Sequence, residues 1–324
     1  DLHDYTEEIK LAKDLYDASL KDAAEFCYKK GDYFVKLGGI DNNKTAAKWY
    51  KKSITYIPNY KDANNKYNKS KSAGLKRIAI LPFENITKNF NYDFISESIA
   101  EGITKDLVND KEASEFVEII TRQYLNTIIS EQKMQYNGLF DEKKSVQIGK
   151  IAGINELLVG KITNVIVDPG QITSNSYKII NDHYLEGYKK VKNSKGEWVK
   201  GEPIYSTHEG YVTKYLYKAS AKIQCSYSFI DIETGKIKTS QEEIGQFDIE
   251  NIWGKFAGSE KVFESSSGNV VLDLIVNISS KPNAADYQLC HRPEPLKPTP
   301  NELLDKALQN LKLKINEKIL LYAK

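Results

Sequence analysis

The chain has 324 residues, 46 basic and 44 acidic side chains, and 40% hydrophobic residues. That length and apolar share suffice for a sizeable core and room for two domains, and they exclude wholesale disorder. The net charge of +2 excludes the clustered basic excess of a nucleic-acid binder, and no apolar run approaches the ~18 residues of a transmembrane helix. The longest run in the C-terminal half, Val270–Ile278, is interrupted by Asp273 and Asn277. Tyrosine is abundant, at 21 residues, beside a single Met. Tyrosine suits half-exposed strands and contact surfaces, although an A·T-rich genome would enrich the same residues. Cys27, Cys225 and Cys290 are widely spaced and odd in number, so they read as small buried hydrophobes and not as a disulfide framework. The chain begins at Asp1, which is the expectation for a removed signal peptide or for a cut chain.

Residues 5–71 read as helical. Ala12, Leu15, Tyr16, Leu20, Ala23, Ala24 and Cys27 recur at three- and four-residue steps as one apolar stripe, with Gly31 and Gly38-Gly39 as punctuation. Thr45–Lys71 is more specific. Ala46, Ala47, Trp49, Tyr50 and Ile54 line one helix, Pro58 follows a turn, and Tyr60, Ala63 and Tyr67 restart a second. That pattern resembles one tetratricopeptide-type helix pair, with a plain helical lead-in as the alternative, since a solenoid needs ~3 repeats. Trp49, Tyr50, Ile54 and Tyr60 are expected to pack on the stripe of Leu15, Leu20 and Cys27.

Ser70–Gly74 reads as a polar hinge, and Arg77–Phe83 as a buried strand ended by Pro82. A helix follows over Phe94–Val108, then a strand at Phe116–Ile120. Thr121 can cap a helix running to Gln132. Val146–Ala152 reads as a short helix and Glu156–Val167 as a third strand, so strands and helices alternate around a covered sheet. From Asp168 the chain turns rich in Tyr and Lys, and 175–217 reads as a long hairpin with its turn at Asn193–Gly196. The chain returns through Ala219–Glu233 and turns at Glu233–Lys236. It runs back over Ile237–Phe247, and SYSFIDIETGKIKTS around that turn is the strongest hairpin signal in the sequence. Mixed signals over Asn251–Ser280 precede a Pro-rich connector, Lys281–Pro300, and an amphipathic helix over Asn301–Lys324 that would cover the sheet.

No arrangement of residues suits catalysis, a cofactor or a metal. His3, His183, His208 and His291 are scattered, without i,i+4 or Cys-x-x-Cys spacing. Gly153–Thr163 lacks the spacing of a phosphate loop, and Gly160 reads as a residue that opens space for strand packing. The tyrosines at Tyr205, Tyr211, Tyr215 and Tyr217 suit either a contact surface or ordinary cross-strand pairing. The candidate partner-binding residues along the hairpin are Tyr177, Tyr184, Tyr188, Trp198, Tyr205, Tyr211 and Tyr215.

The segments KRIAILPFENIT, FISESIAEGITKDLV, FVEIITRQYLNTIISEQ and IGKIAGINELLVGKIT, within 76–163, form a strand-and-helix cassette. This cassette resembles the CsgG-like family, the curli-secretion channel and related bacterial cell-envelope lipoproteins. Arg122 and Glu131 match polar positions of the cassette, with a salt link as the simplest role. In the family's channel, subunits form a ring and insert two membrane hairpins, and this chain has insertions at both places. Membrane strands need ~9–11 residues with one continuously apolar face. Here Lys178, Asp182, Glu186 and Lys190 lie on one face of Tyr177–Val191, so a water-exposed arm is the better reading.

The fold class is α+β, a tetratricopeptide-like helical domain (1–73) followed by a CsgG-like α/β domain (74–324). The second would hold a mixed sheet covered by helices, a long projecting hairpin, and insertions at 168–218 and 245–300. The resemblance implies a non-enzymatic lipoprotein, anchored at the outer membrane by a lipid on a cysteine that this chain does not contain. Its partners would be other envelope proteins, with homo-oligomerisation compatible and nucleic acid excluded. The alternative is a subunit of a curli-type secretion channel.

Overall fold

The computed structural model describes residues 5–120, 150, 153–264 and 282–323. Among these, helices α1 (Thr6–Leu37), α2 (Ile40–Tyr56) and α3 (Ala63–Ala73) come first. Gly38 and Gly39 separate α1 from α2 with φ of 70° and 82°, a left-handed conformation that costs glycine little. Gly31 does not punctuate α1, as the sequence suggested. It lies inside the helix, where a Cβ would come within 2.5 Å of the Tyr50 ring. The expected stripe is also shorter than its spacing implied. Ala24 and Cys27 are buried, but every residue from Tyr5 to Ser19 is exposed. The physical reason is length: α1 has 32 residues and α2 only 17, and Ser53 near the end of α2 already reaches Ala24 O (2.8 Å). Trp49 and Tyr50 therefore meet Phe26 and Tyr28 edge-on, while Leu15 is 64% exposed.

The next elements are β1 (Lys76–Ile80), β2 (Glu84–Asn85), α4 (Asp93–Asn109), α5 (Ala113–Phe116) and β3 (Val117–Ile120). Phe116, read as strand, closes the helical turn of α5, and Asp110 organises the turn before it by accepting from the backbone N–H groups of Glu112 (3.0 Å) and Ala113 (2.9 Å). Three long strands follow, β4 (Glu156–Lys192), β5 (Trp198–Asp231) and β6 (Ile237–Gly258). Last come α6 (Ala284–Cys290) and α7 (Pro300–Ala323). The helices expected over Thr121–Gln132 and Val146–Ala152, with Arg122 and Glu131, fall at least in part outside the described residues.

The strand order is β3-β1-β4-β5-β6, with β2 also beside β4. β1 runs parallel to β3 and β4 (Ile78 opposite Ile119, Ala79 opposite Leu157), whereas tight turns join β4 to β5 and β5 to β6, so the sheet is mixed. Consecutive residues Ile78, Ala79, Ile80 and Leu81 are all buried, which requires cover on both faces of β1. Gly160 opens packing space, as expected: a Cβ there would meet the Phe83 ring at 2.5 Å.

Contacts divide the chain into two compact units. The first comprises residues up to Val165 with Ile223–Gly245 and Leu308 onward. The expected boundary at 73/74 falls inside it. Its α4 buries Ile95, Ile99, Ile103 and Leu107, and α7 buries Leu311, Ile315 and Ile319. Glu156 sits in it at 1% exposure, with Lys76 and Lys238 each 3.1 Å from Oε1 and the Tyr322 hydroxyl donating to Oε2 (3.0 Å). Burial alone would lower the Lys238 pKa, but its contacts with Glu156 and Asp231 prevail and raise it.

The second unit comprises Ile166–Lys222 and Gln246–Ala307. Its core gathers Ile179, Val212, Val262, Phe263 and Leu289, with Tyr177, Ile252, Phe256 and Tyr287 against them. Two sequence expectations change here. The mixed-signal stretch opens with β6 continuing to Gly258, and the Pro-rich connector contains helix α6. Proline guided the connector reading, but Ala284–Cys290 holds no proline, and Leu289 draws this short helix onto the core. A capping box starts α7, in which Thr299 Oγ1 accepts from the Glu302 N–H (3.2 Å) and Glu302 accepts from the Thr299 N–H (2.7 Å).

Candidate partner-binding surface

The hairpin is built from the last part of β4 and the first part of β5. Its turn is organised by Asn193, whose side chain accepts from the N–H groups of Lys195 (2.9 Å) and Glu197 (3.0 Å), while Gly196 takes φ +79°. Strands β4 and β5 are tied across by Ser176 with Thr213 (2.8 Å), Lys178 with Glu209 (2.7 Å) and Lys189 with Glu202 (3.1 Å).

The third strand supports only the base of this arm. β6 ends where Gly258 approaches Gly210, and the Ser259 N–H donates to Glu209 O (3.3 Å). Side chains then carry support a little further. Asn181 donates to the carbonyls of Lys261 (2.9 Å) and Glu264 (3.0 Å). Glu186 joins Ser206 (2.9 Å), His208 (3.1 Å) and Lys261 (3.2 Å). Those contacts, the Ser206 hydrogen bond first, hold the Glu186 carboxyl below the usual carboxylate range. Past this knot, from Gly187 to Tyr205, the arm is a two-stranded ribbon among the described residues.

The seven candidate residues separate into two sets. Tyr177, Tyr184 and Tyr215 serve the base. Tyr177 is half-buried and donates to Asp286, and burial followed by that bond pushes its pKa up to about 12. Tyr184 donates to Glu264 (3.1 Å) and meets the His208 ring edge-on, and Tyr215 stacks on Trp253 with centroids 5.3 Å apart. Tyr188, Trp198, Tyr205 and Tyr211 are exposed, Trp198 at 66%. Lys192 lies over the Trp198 ring (5.1 Å) and Lys200 over the Tyr188 ring (4.8 Å). Tyr188 and Trp198, with Lys189, Lys190, Val199 and Lys200, line one open recess near the tip. Aromatic faces interleaved with flexible cations are suited to contact with a protein surface. Tyr217 of the expected tyrosine ladder is buried and donates to Pro169 O (2.9 Å), so that member is core.

The Tyr- and Lys-rich stretch and its turn at Asn193–Gly196 identified the arm, but not which tyrosines its base would absorb. That depends on α6 and on the Glu260–Phe263 turn, which are distant in sequence. Elsewhere, Cys27 and Cys225 are buried and all three thiols are free. Burial first, then the Glu243 charge, pushes the Cys225 thiol up to about 12. Among the described residues no three His, Cys, Asp or Glu side chains are grouped to hold a metal ion, and no helix is long and apolar enough to cross a membrane.

The fold is therefore an α+β arrangement in which helices cover a mixed sheet whose strands extend into an arm. Residues 42–165, from α2 into β4, match the family model described as the curli production assembly/transport component CsgG. The CsgG-like resemblance of the sequence cassette is borne out over that segment. Three solved structures are similar at low levels. The LpoB C-terminal domain from Salmonella enterica has 9% identity and a TM-score of 0.28, over 52% of this chain and 81% of that one. Lipoprotein GNA1162 from Neisseria meningitidis has 10% identity and a TM-score of 0.30, over 62% and 92%. The PelC dodecamer from Paraburkholderia phytofirmans has 11% identity and a TM-score of 0.23, over 52% and 70%. At these scores the three likenesses carry no argument. No curated protein matches the chain.

Proposed function

We propose that this protein is a non-enzymatic component of a bacterial cell envelope, lipid-anchored at the outer membrane, that works by holding partner proteins during assembly or export. The CsgG-type segment over 42–165 supports the envelope and assembly setting. The observation that carries the binding role is the ribbon from Gly187 to Tyr205. It projects Tyr188, Trp198 and Tyr205 beyond the support of β6, and its lysines discourage indiscriminate strand pairing. A channel subunit is the competing reading. Lys178, Asp182, Lys189 and Lys190, all exposed along β4, weigh against it, because a lysine on a lipid-facing strand costs ~2–4 kcal/mol at mid-bilayer.

In-cell photo-crosslinking from position 198, compared with the exposed Leu313 on α7, tests the proposal. Discrete adducts with envelope proteins from 198 and none from 313 are expected. Loss of those adducts when Gly187–Tyr205 is replaced by a short Gly-Ser turn, with the thermal transition retained, would complete the case. Identical adduct patterns from both positions, or none from 198, would overturn it.

A further inference from the structure

The distal ribbon of the arm is far more basic than the molecule that carries it. Gly187–Tyr205 holds five lysines and two glutamates, a net +3, whereas the whole 324-residue chain is only +2. Both glutamates are already engaged, Glu202 with Lys189 (3.1 Å) and Glu197 with the side-chain amide of Asn193 (3.0 Å). Lys190, Lys192, Lys195 and Lys200 are exposed and form no ion pair among the described residues. Three of these cations share one face with the aromatic rings. Lys192 lies over Trp198 (5.1 Å) and Lys200 over Tyr188 (4.8 Å), and alternation along β4 sets Lys190 between Tyr188 and Lys192. Val191 belongs to the other face, where a Cβ at Gly201 would come within 2.9 Å of it.

Shape and charge together choose the occupant. Tyr188, Trp198 and the lysine stems border an open recess of about 650 Å³, inside the ~300–1,000 Å³ span of ligand sites. A concave floor of that size takes in single side chains, whereas a planar bilayer would meet only its rim. The apex of the ribbon is also wrong for a bilayer. Asn193, Ser194, Lys195 and Gly196 stand ahead of Trp198, and none has an apolar side chain to enter first. A basic partner would be repelled from this face, and a neutral one would gain nothing from its cations. Carboxylates match them, and an apolar side chain between the carboxylates matches the rings.

We infer that this face captures an acidic segment of a partner protein, with carboxylates against Lys190, Lys192 and Lys200 and one apolar side chain in the recess between Tyr188 and Trp198. The inference rests on the partner-holding reading of the arm and adds the chemistry of the partner. Crosslinks from position 198 that persist when the three lysines are reversed would overturn it and leave that reading standing. Absence of crosslinks from 198 in the parent chain would overturn the reading, and the inference with it.

Fluorescence anisotropy of the full chain with two labelled peptides tests the chemistry directly. One peptide is a short run of glutamates around one phenylalanine and one leucine, and the other has glutamine for every glutamate. The glutamate peptide should bind saturably, about tenfold or more tighter than its counterpart, and added salt should weaken it. Lys190→Glu, Lys192→Glu and Lys200→Glu together should abolish binding at unchanged thermal stability, because all three side chains are exposed. Trp198→Ala should weaken it. Lys10→Glu, Lys13→Glu and Lys21→Glu, the same charge change at exposed positions of α1, should leave binding within about twofold. Equal binding of the two peptides, or binding indifferent to the substitutions in the arm, would overturn the inference. So would a chain that ignores the glutamate peptide and is retained by phosphatidylglycerol vesicles, which would assign the face to a membrane.

Discussion

Helices α1–α3 and the β-arm draw on the same two residue types, tyrosine and lysine, and use them in opposite ways. In the helices and the turn between α2 and α3, four tyrosine rings, those of Tyr28, Tyr50, Tyr60 and Tyr67, are wholly or partly covered and their hydroxyls meet carboxylates, whereas Tyr16 and Tyr33 stay exposed. Tyr28 donates to Asp62 (2.5 Å), Tyr50 to Asp32 (2.5 Å), Tyr60 to Glu25 (2.6 Å) and Tyr67 to Glu115. Lysines then neutralise the same acids, with Lys66 at Asp32 (2.7 Å) and Lys51 at Glu115 (2.6 Å). On the arm Tyr188, Tyr205 and Tyr211 stay in water, and Lys200 merely leans over the ring of Tyr188. Composition is thus shared, and what differs is whether a third element covers the apolar body of the ring. A tyrosine covered in this way contributes stability, and an exposed one leaves area for a partner.

The sharpest way to break this comparison is to truncate the best-covered ring. Tyr50 is 1% exposed, packs at Gly31 where no Cβ intervenes, and anchors Asp32. Tyr50→Ala should cost ~3–5 kcal/mol, the range for large aromatic truncations in a core. Thermal unfolding followed by circular dichroism measures it. A loss near zero would mean that α1 and α2 do not depend on each other.

Much of this core was legible because burial is one-sided and periodic. The run Ala46, Ala47 and Tyr50 placed α2, the Ile99–Leu107 spacing placed α4, and consecutive apolar residues in Arg77–Phe83 announced a strand covered on both faces. The turn at Glu233–Lys236 was equally clear, and Asp231 organises it by accepting from Thr234. What stayed hidden depends on partners far away in the chain. Nothing in Leu15 or Tyr16 says that α2 stops short of them. The binding candidates were legible as a set of aromatic residues on a hairpin. Their division into Tyr177, Tyr184 and Tyr215 against Tyr188, Trp198, Tyr205 and Tyr211 is set by Asp286, Glu264 and Trp253. No local pattern connects those residues to the arm.

Acid offers a second, smaller test, because the hydroxyl–carboxylate pairs of the helices are pH-dependent. Hydrogen bonds from Lys61 and Tyr60 hold the Glu25 carboxyl down to about 2, against an ordinary value of 4.5. The Tyr28 hydroxyl lowers Asp62, and for Glu115 the bonds from Lys51 and Tyr67 outweigh the opposing effect of burial. A carboxyl whose pKa is lower folded than unfolded binds fewer protons when folded. Its contribution is therefore present above pH 4.5 and is lost as the pH falls toward 2. Protection of the α1–α3 amides against hydrogen exchange, taken relative to the intrinsic rate at each pH, should fall across that window. Glu25→Gln should flatten the acid dependence by lowering that protection already at neutral pH, because Gln, like the protonated carboxyl, lacks the charge that Lys61 and Tyr60 stabilise. An unaltered acid slope in the variant would show that Glu25 does not couple these helices to pH.

The smallest expected effect falls on the arm, and there the prediction is near-silence in stability. Tyr211 is 56% exposed, so its truncation removes little buried area and opens no cavity. Cross-strand pairing of its ring with a neighbour would be worth at most ~1 kcal/mol. Tyr211→Ala should shift stability by no more than ~0.5 kcal/mol, as for most surface changes. Tyr215→Ala, four residues on, removes the ring stacked on Trp253 and should cost clearly more. The two variants together locate where the base of the arm ends, because they differ in cover and not in chemistry. Equal losses at both positions would mean that Tyr211 is covered in solution. The arm would then belong with the helices, as structure, and its exposed rings would have to be sought nearer the Asn193 turn.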